Sequence, residues 1–255
     1  MTATVYIVIN LEWDYVHRIV TLSMPSYVRK ALHRFQHTMR GGKEYSPHTC
    51  ALIQYVQRVH YADTLDAAEY LSEKETNLIQ QVCGTFLYYA IAIDNTIIPD
   101  LSDIYSDNYK ATNNTEKQVA KLLNYLASNP HAEIKYRARG MQLAIHYNAS
   151  YLSVSQSRRR ASGVHFIRKG PPNPNNTEDF VPTVNIILLV VCKIMRNIMA
   201  SVAEAKYGTI FVNYQISVPN RTTLTEMRRK QVPTAIQVDN YTAVGIATKE
   251  FRQNK

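Results

Sequence analysis

Two carboxylates stand where a fold could aim them at one point. Glu204 lies within Ser201-Val-Ala-Glu-Ala-Lys-Tyr, in the first turn of a segment with helical spacing. Asp239 directly follows a short apolar run, Ala235 to Val238. The end of a strand and the start of a neighbouring helix can converge side chains, and oxygen ligands for a hard cation are assembled in this way. Both residues also have ordinary uses. An acid in the first turn complements the helix dipole, and an aspartate after a strand caps a following helix. Arg158, Arg159 and Arg160 form a basic run that could bind phosphates or simply keep a hairpin tip soluble. Arg228, Arg229 and Lys230 read as a solvated helix end. His146 lies two residues before Asn148, on the same side of an alternating strand, within reach of a ligand role there. Cys50, Cys83 and Cys192 are far apart, with no Cys-x-x-Cys pair, and read as reduced thiols rather than a disulfide or zinc framework.

The elements that would carry these residues fall into two blocks. From Leu65 to Ala127 the spacing is helical. Leu78, Ile79, Val82, Phe86, Leu87 and Ala90 make one apolar stripe, and Ser72 with Glu75 forms a capping box ahead of it. Glu116 to Leu126 repeats the pattern until Asn129-Pro130. Beyond Pro130 the period changes. Strands are predicted over Gln142 to Val154, Gly163 to Ile167, Asn185 to Cys192 and Ala235 to Val238. A helix is predicted over Ala200 to Ile216, a short one over Thr222 to Lys230, and a weak one after Asp239. Gly170-Pro-Pro-Asn-Pro-Asn-Asn reads as a loop. Trp13, the single tryptophan, is expected to pack in the core of a strand pair. The break between blocks falls near Pro130 to Gly140, giving expected domains of 1–135 and 140–255.

In wording and order these segments resemble the reverse transcriptase–ribonuclease H region of copia-type retrotransposon polyproteins. Leu22-Ser-Met-Pro-Ser-Tyr-Val-Arg-Lys-Ala-Leu-His-Arg-Phe resembles the segment that closes the polymerase body. Gln80-Gln-Val-Cys-Gly-Thr-Phe-Leu-Tyr-Tyr-Ala is similar to a helix of the connecting region. Tyr147-Asn-Ala-Ser-Tyr, followed by Ser157-Arg-Arg-Arg-Ala-Ser-Gly-Val-His-Phe, looks like the first hairpin of the ribonuclease H domain. Ser201-Val-Ala-Glu-Ala-Lys-Tyr and Val238-Asp-Asn-Tyr-Thr-Ala resemble its Ser-x-Ala-Glu-Ala-Glu-Tyr helix and Asp-Asn-x-x-Ala turn.

The resemblance implies an α/β fold, a ribonuclease H-like mixed sheet with flanking helices. A mainly helical thumb/connection remnant of the reverse transcriptase would precede it. It implies cleavage of RNA in RNA–DNA hybrids by two magnesium ions held in a carboxylate cluster. Transferred residue by residue, the cluster's Glu falls on Glu204, its second Asp on Asp239 and its first Asp on Asn148. An amide in that place withdraws one full negative charge from a ligand meant to be shared by two cations. The last acid of the cluster is expected beyond Lys255. The polymerase's Tyr-x-Asp-Asp turn should precede Trp13-Asp-Tyr, and no such motif occurs in the chain. The implied site is therefore a crippled centre, with Glu204 and Asp239 as residual metal ligands and Arg158, Arg159 and Arg160 as nucleic-acid contacts.

Bulk properties agree with a folded, basic chain. In 255 residues there are 29 Lys+Arg against 20 Asp+Glu, net +9, with 45% hydrophobic and 19% charged residues, too apolar for disorder. The longest apolar run, Ile186 to Cys192, is far short of the ~20 residues of a spanning helix. No basic stretch precedes the apolar N-terminus as a secretory signal would require, so a cytoplasmic or nuclear location is expected. The expected partner is an RNA–DNA hybrid or other nucleic acid, with no membrane and no small-molecule substrate. Three functions follow: a weakened magnesium-dependent hybrid nuclease, a non-catalytic basic nucleic-acid-binding module, or a decayed element fragment.

Overall fold

The first residues of the chain build a hairpin at some conformational cost. The computed structural model describes residues 2–39, 41–48, 68–107, 110–138, 140–150, 159–168, 185–195, 201–240 and 243–245. Strands β1 (Thr2–Tyr6) and β2 (Ile9–Asp14) pair antiparallel through the two-residue turn Ile7-Val8. Both turn residues take positive φ, 48° and 68°. The right-handed twist of the flanking strands calls for such a turn, but β-branched residues adopt it only under strain. Strand β3 (Ile19–Ser23) continues the meander, and β4 (Glu133–Arg137) completes a four-stranded sheet in the order β1-β2-β3-β4.

The chain divides into two compact units, residues 1–136 and 137–255. The first carries α1 (Tyr27–Arg34), α2 (Glu73–Ala92), α3 (Ile98–Asp107) and α4 (Asn113–Ser128) beside its sheet. It is thus mixed rather than mainly helical. At α2 the Ser72 hydroxyl accepts from the Glu75 N–H, and the Glu75 carboxylate accepts from the Ser72 N–H at 2.9 Å. The core of the unit is Val28, Phe86, Tyr89, Ile97, Leu122 and Leu126. Trp13 is not in it: the ring is 37% exposed and stacks on Tyr15 with centroids 6.2 Å apart. Trp13 lies near the end of β2 and Tyr15 just beyond it, and both are exposed.

The second unit is built from β5 (Gln142–Ala149), β6 (Arg159–Arg168), β7 (Ile186–Met195), α5 (Val202–Glu226) and β8 (Ala235–Gln237). Strands β5, β6 and β7 are antiparallel, β8 runs parallel to β5, and the order is β7-β6-β5-β8. Among the described residues the protein is therefore mixed α/β with two sheets. Helix α5 crosses one face of the second sheet, where Ala205 packs with Ala149, Ala161 and Met195 and Leu224 with Leu143 and Ile167.

Two sequence expectations change here. The two helices predicted over residues 200–230 are a single one, which carries Pro219 in its interior. A proline removes one helical N–H, and hydroxyls of the same stretch serve carbonyls around it: Ser217 donates to Tyr214 and Thr222 to Val218. The second strand begins at Arg159 rather than Gly163, so Arg159 and Arg160 belong to β6 and not to a turn. The Pro/Asn stretch 170–176, Arg158, Cys50 and Tyr151 to Val154 lie outside the described residues, and of the weak helix expected after Asp239 only 243–245 are described, as helix. None of the described helices is long and apolar enough to cross a membrane.

Candidate functional site

Polarity on α5 is inverted, and this inversion makes the site. Helical phase turns Lys206, Thr209, Asn213 and Ser217 toward the sheet, and all four are buried. Each has a partner. Thr209 donates to the Ala205 carbonyl at 2.9 Å and Ser217 to Tyr214 at 2.7 Å. Asn213 donates to the Thr209 carbonyl at 2.9 Å and meets His165 Nε2 at 3.0 Å. This close approach requires Gly163, since a Cβ there would collide with the Asn213 amide.

Lys206 reaches the rim of the sheet. Its ammonium donates to Asn148 Oδ1 at 3.1 Å and pairs with Asp239 Oδ1. Asn148 ends the exposed margin of β5, and its Oδ1 also accepts the Ala149 N–H at 2.8 Å. Asp239 follows β8, which lies directly beside β5. The side chain of Lys206 is 8% exposed and that of Asp239 is 65% exposed, so the carboxylate closes the ammonium off from water while remaining wet itself. A buried ammonium needs such partners, because leaving it bare would forfeit its hydration.

Asn148 and Asp239 thus meet through a lysine. Glu204, the expected third member, is exposed. Its N–H donates to Ser201 Oγ at 3.1 Å, which places it in the capped first turn of α5. Successive helical residues are rotated by about 100°, so Glu204 and Lys206 leave the axis on nearly opposite sides. The helix that sends Lys206 to the rim turns Glu204 outward. The α5 side chain hydrogen-bonded to Asn148 and Asp239 is that of Lys206.

The donor set at the rim is one amide oxygen, one carboxylate and one ammonium. It does not fit two magnesium ions. A divalent pair needs several anionic oxygens, and a fixed ammonium ~4 Å away would repel each unit of metal charge by about 4 kcal/mol at an effective dielectric of ~20. Among the described residues, no group of three or more His, Cys, Asp and Glu side chains comes together.

Other groups singled out in the sequence, His146, Tyr147, Arg160 and Cys83, are at least half-buried. His146 packs edge-on against Phe166, with centroids 4.7 Å apart, and its Nε2 is buried without a hydrogen-bond partner. Burial holds its pKa below the usual imidazole value, leaving a neutral ring. Tyr147 is pushed well above the ordinary phenol range, first by burial and then by the Asp239 carboxylate. Of the arginine run, Arg160 is half-buried with its Nε enclosed, whereas Arg158 and the side chain of Arg159 lie outside the described residues. Cys83 is buried and its thiol is raised to about 11 by burial, which makes it inert at neutral pH.

Charge is divided unevenly between the units. Residues 1–136 hold 12 Lys+Arg and 14 Asp+Glu, net −2, while residues 137–255 hold 17 Lys+Arg and 6 Asp+Glu, net +11. The excess of the whole chain therefore resides in the unit that contains the Lys206 bridge. No family model, no curated protein and no solved structure matches this chain.

Proposed function

We propose that the chain is a copia-type retrotransposon reverse transcriptase/ribonuclease H segment that no longer cleaves, and that it binds nucleic acid, RNA–DNA hybrid foremost, through its basic second unit. The observation that carries this reading is the Lys206 ammonium seated between Asn148 and Asp239. Two-metal hydrolysis activates a water and stabilises a leaving oxygen with divalent charge. A lysine can offer one fixed positive charge and hydrogen bonds, but it generates no hydroxide at neutral pH. The motif order quoted above supports the family, and a mixed sheet with its helix between the third and fourth strands supports a ribonuclease H-like domain. The net +11 of residues 137–255 supports a polyanionic partner. The place of action in this reading is the cytoplasm or nucleus, where retroelements replicate.

The test is incubation with a labelled RNA–DNA hybrid in magnesium, read by gel and by mobility shift. A shifted but uncut hybrid is the expected result. Magnesium-dependent cleavage that disappears in Asp239→Asn would overturn the non-catalytic half, and no shift at low salt would overturn the binding half. A second reading, a decayed fragment without a selected role, draws on buried polar atoms that have no hydrogen-bond partner: the Tyr147 hydroxyl, His146 Nε2 and Gln237 Oε1. Such groups cost stability. That reading requires a chain without a cooperative melting transition, and a sharp one measured by circular dichroism would eliminate it.

A further inference from the structure

The turn that follows α5 pins its main chain and leaves its cations free. Arg228, Arg229 and Lys230 are all exposed. Among the described residues, none of their side chains makes a hydrogen bond or an ion pair. The backbone beneath them is held at successive carbonyls. Gln231 is buried, and its amide donates to the Arg229 carbonyl at 2.9 Å and the Met141 carbonyl at 2.8 Å. Its Oε1 accepts the Leu143 N–H at 3.0 Å. Gln142 donates to the Lys230 carbonyl at 3.0 Å and accepts the Val232 N–H at 3.2 Å. The Arg221 guanidinium donates to the carbonyls of Gln231 at 3.1 Å and Val232 at 2.7 Å. A backbone fixed in advance spares a ligand the cost of ordering it.

Stability of the fold alone does not select these residues. Arg228 takes a φ of 58°, and the N–H of Arg229 closes back on the Leu224 carbonyl at 2.9 Å. Glycine is the ordinary residue at such a helix end, because a Cβ makes the left-handed conformation costly. The helix dipole acts within the last turn, yet the last turn of α5 carries no basic residue, and all three cations lie beyond the Met227 cap. A strained backbone position occupied by an exposed charge points to use of that charge.

We propose that Arg228, Arg229 and Lys230 form a phosphate-binding surface for the backbone of an RNA–DNA hybrid. It lies at the opposite end of β5 from Arg160: Gln142 adjoins this turn, whereas Ala149 pairs with Ala161. Seven residues of strand separate the two ends by about 23 Å. Three successive cations suit a duplex, which presents one negative charge per ~1.7 Å of its axis. A protein partner would call for buried apolar anchors, and residues 224–234 expose one large apolar side chain, Met227. The inference rests on the nucleic-acid reading of the second unit and adds contacts beyond those of the Arg160 end.

Fluorescence anisotropy of the full chain with a labelled hybrid, across a salt series, tests it. Arg229→Ala with Lys230→Ala should lower the slope of log K against log salt by about 2, which weakens the affinity change between 50 and 200 mM salt by about tenfold. Arg228→Gly should lower the slope by about 1 while raising the urea midpoint, so its lost affinity cannot be ascribed to misfolding. A wild-type chain that binds the hybrid with a slope unchanged in both variants overturns this surface and leaves the nucleic-acid reading standing. A wild-type chain that binds no hybrid at low salt overturns both. Co-sedimentation with phosphatidylserine vesicles that is abolished in the double variant, beside unchanged hybrid binding, would assign the cations to a lipid surface and likewise overturn the proposal.

Discussion

Lys206 and Asp239 share one ion pair but occupy different dielectrics, and the difference predicts an asymmetry. Lys206→Met keeps the buried stem and removes the charge, while Asp239, already 65% exposed, returns to water. The cost should be about 1 kcal/mol. Asp239→Ala instead leaves a nearly buried ammonium with only an amide oxygen, and should cost about 2–3 kcal/mol. Urea unfolding followed by tyrosine fluorescence would measure both, and equal costs would refute the burial argument. A second residue-level effect concerns His165, fully buried with Nε2 against Asn213 and Nδ1 3.4 Å from the Asn220 amide nitrogen. The neutral ring uses both contacts, one as donor and one as acceptor, so a second proton would face the Asn220 donor. Burial lowers the His165 pKa, with the Asn213 contact opposing in part. A folded pKa below the unfolded 6.5 means that the unfolded chain binds the extra proton first. Stability contributed by the neutral ring is complete above about pH 6.5 and is lost as pH falls below it. Melting temperature should therefore drop between pH 7 and pH 5.5, and His165→Gln should flatten that dependence.

Elements differ in how plainly the sequence announces them, and the reason is physical in each case. Helix α2 is legible because its capping box and apolar spacing are local signals: the capping box forms and Ile79, Val82, Phe86 and Ala90 are buried, although Leu78 and Leu87 of the expected stripe are exposed. The strands of the second sheet are legible from alternation at Leu143, Ile145 and Tyr147. Helix α5 is harder, since it buries polar residues and exposes apolar ones, and Pro219 suggests a break that the hydroxyls of Ser217 and Thr222 help to bridge. The same inversion hides the site. Linear likeness selects Glu204 because it is the acid, whereas helical phase, with Thr209 and Asn213 below it, selects Lys206. The N-terminal meander is hidden for another reason: its turn, Ile7-Val8, has the wrong chemistry for a hairpin. Replacing Ile7-Val8 with Asn-Gly supplies residues that accept positive φ, each relieving roughly 1 kcal/mol of strain. The variant should unfold at higher urea with an unchanged slope, and a loss of stability would show that Ile7 and Val8 contribute packing that outweighs their backbone.

At the scale of the whole molecule the deciding quantity is the partition of charge. A net of +9 spread evenly would say little, but net −2 on residues 1–136 against net +11 on residues 137–255 makes one unit a polyelectrolyte. Binding by such a unit is driven by counterion release, with log K falling against log salt by about 0.9 for each phosphate neutralised on a duplex. If Arg158, Arg159 and Arg160 and one further cation engage phosphates, affinity for an RNA–DNA hybrid should fall about 100-fold between 50 and 200 mM salt. Replacing Arg158 and Arg159 with Ala should lower the slope by about 2. Arg160 is the poorer probe, because its Nε is enclosed and its truncation disturbs packing as well as charge. Fluorescence anisotropy with the hybrid and with a duplex of unrelated sequence measures both slopes. Equal slopes for the two nucleic acids are expected, since phosphate contacts carry no sequence information. A slope unchanged by the double substitution would move the phosphate contacts to the other cations of residues 137–255. A salt-independent affinity would remove the electrostatic basis of the binding reading altogether.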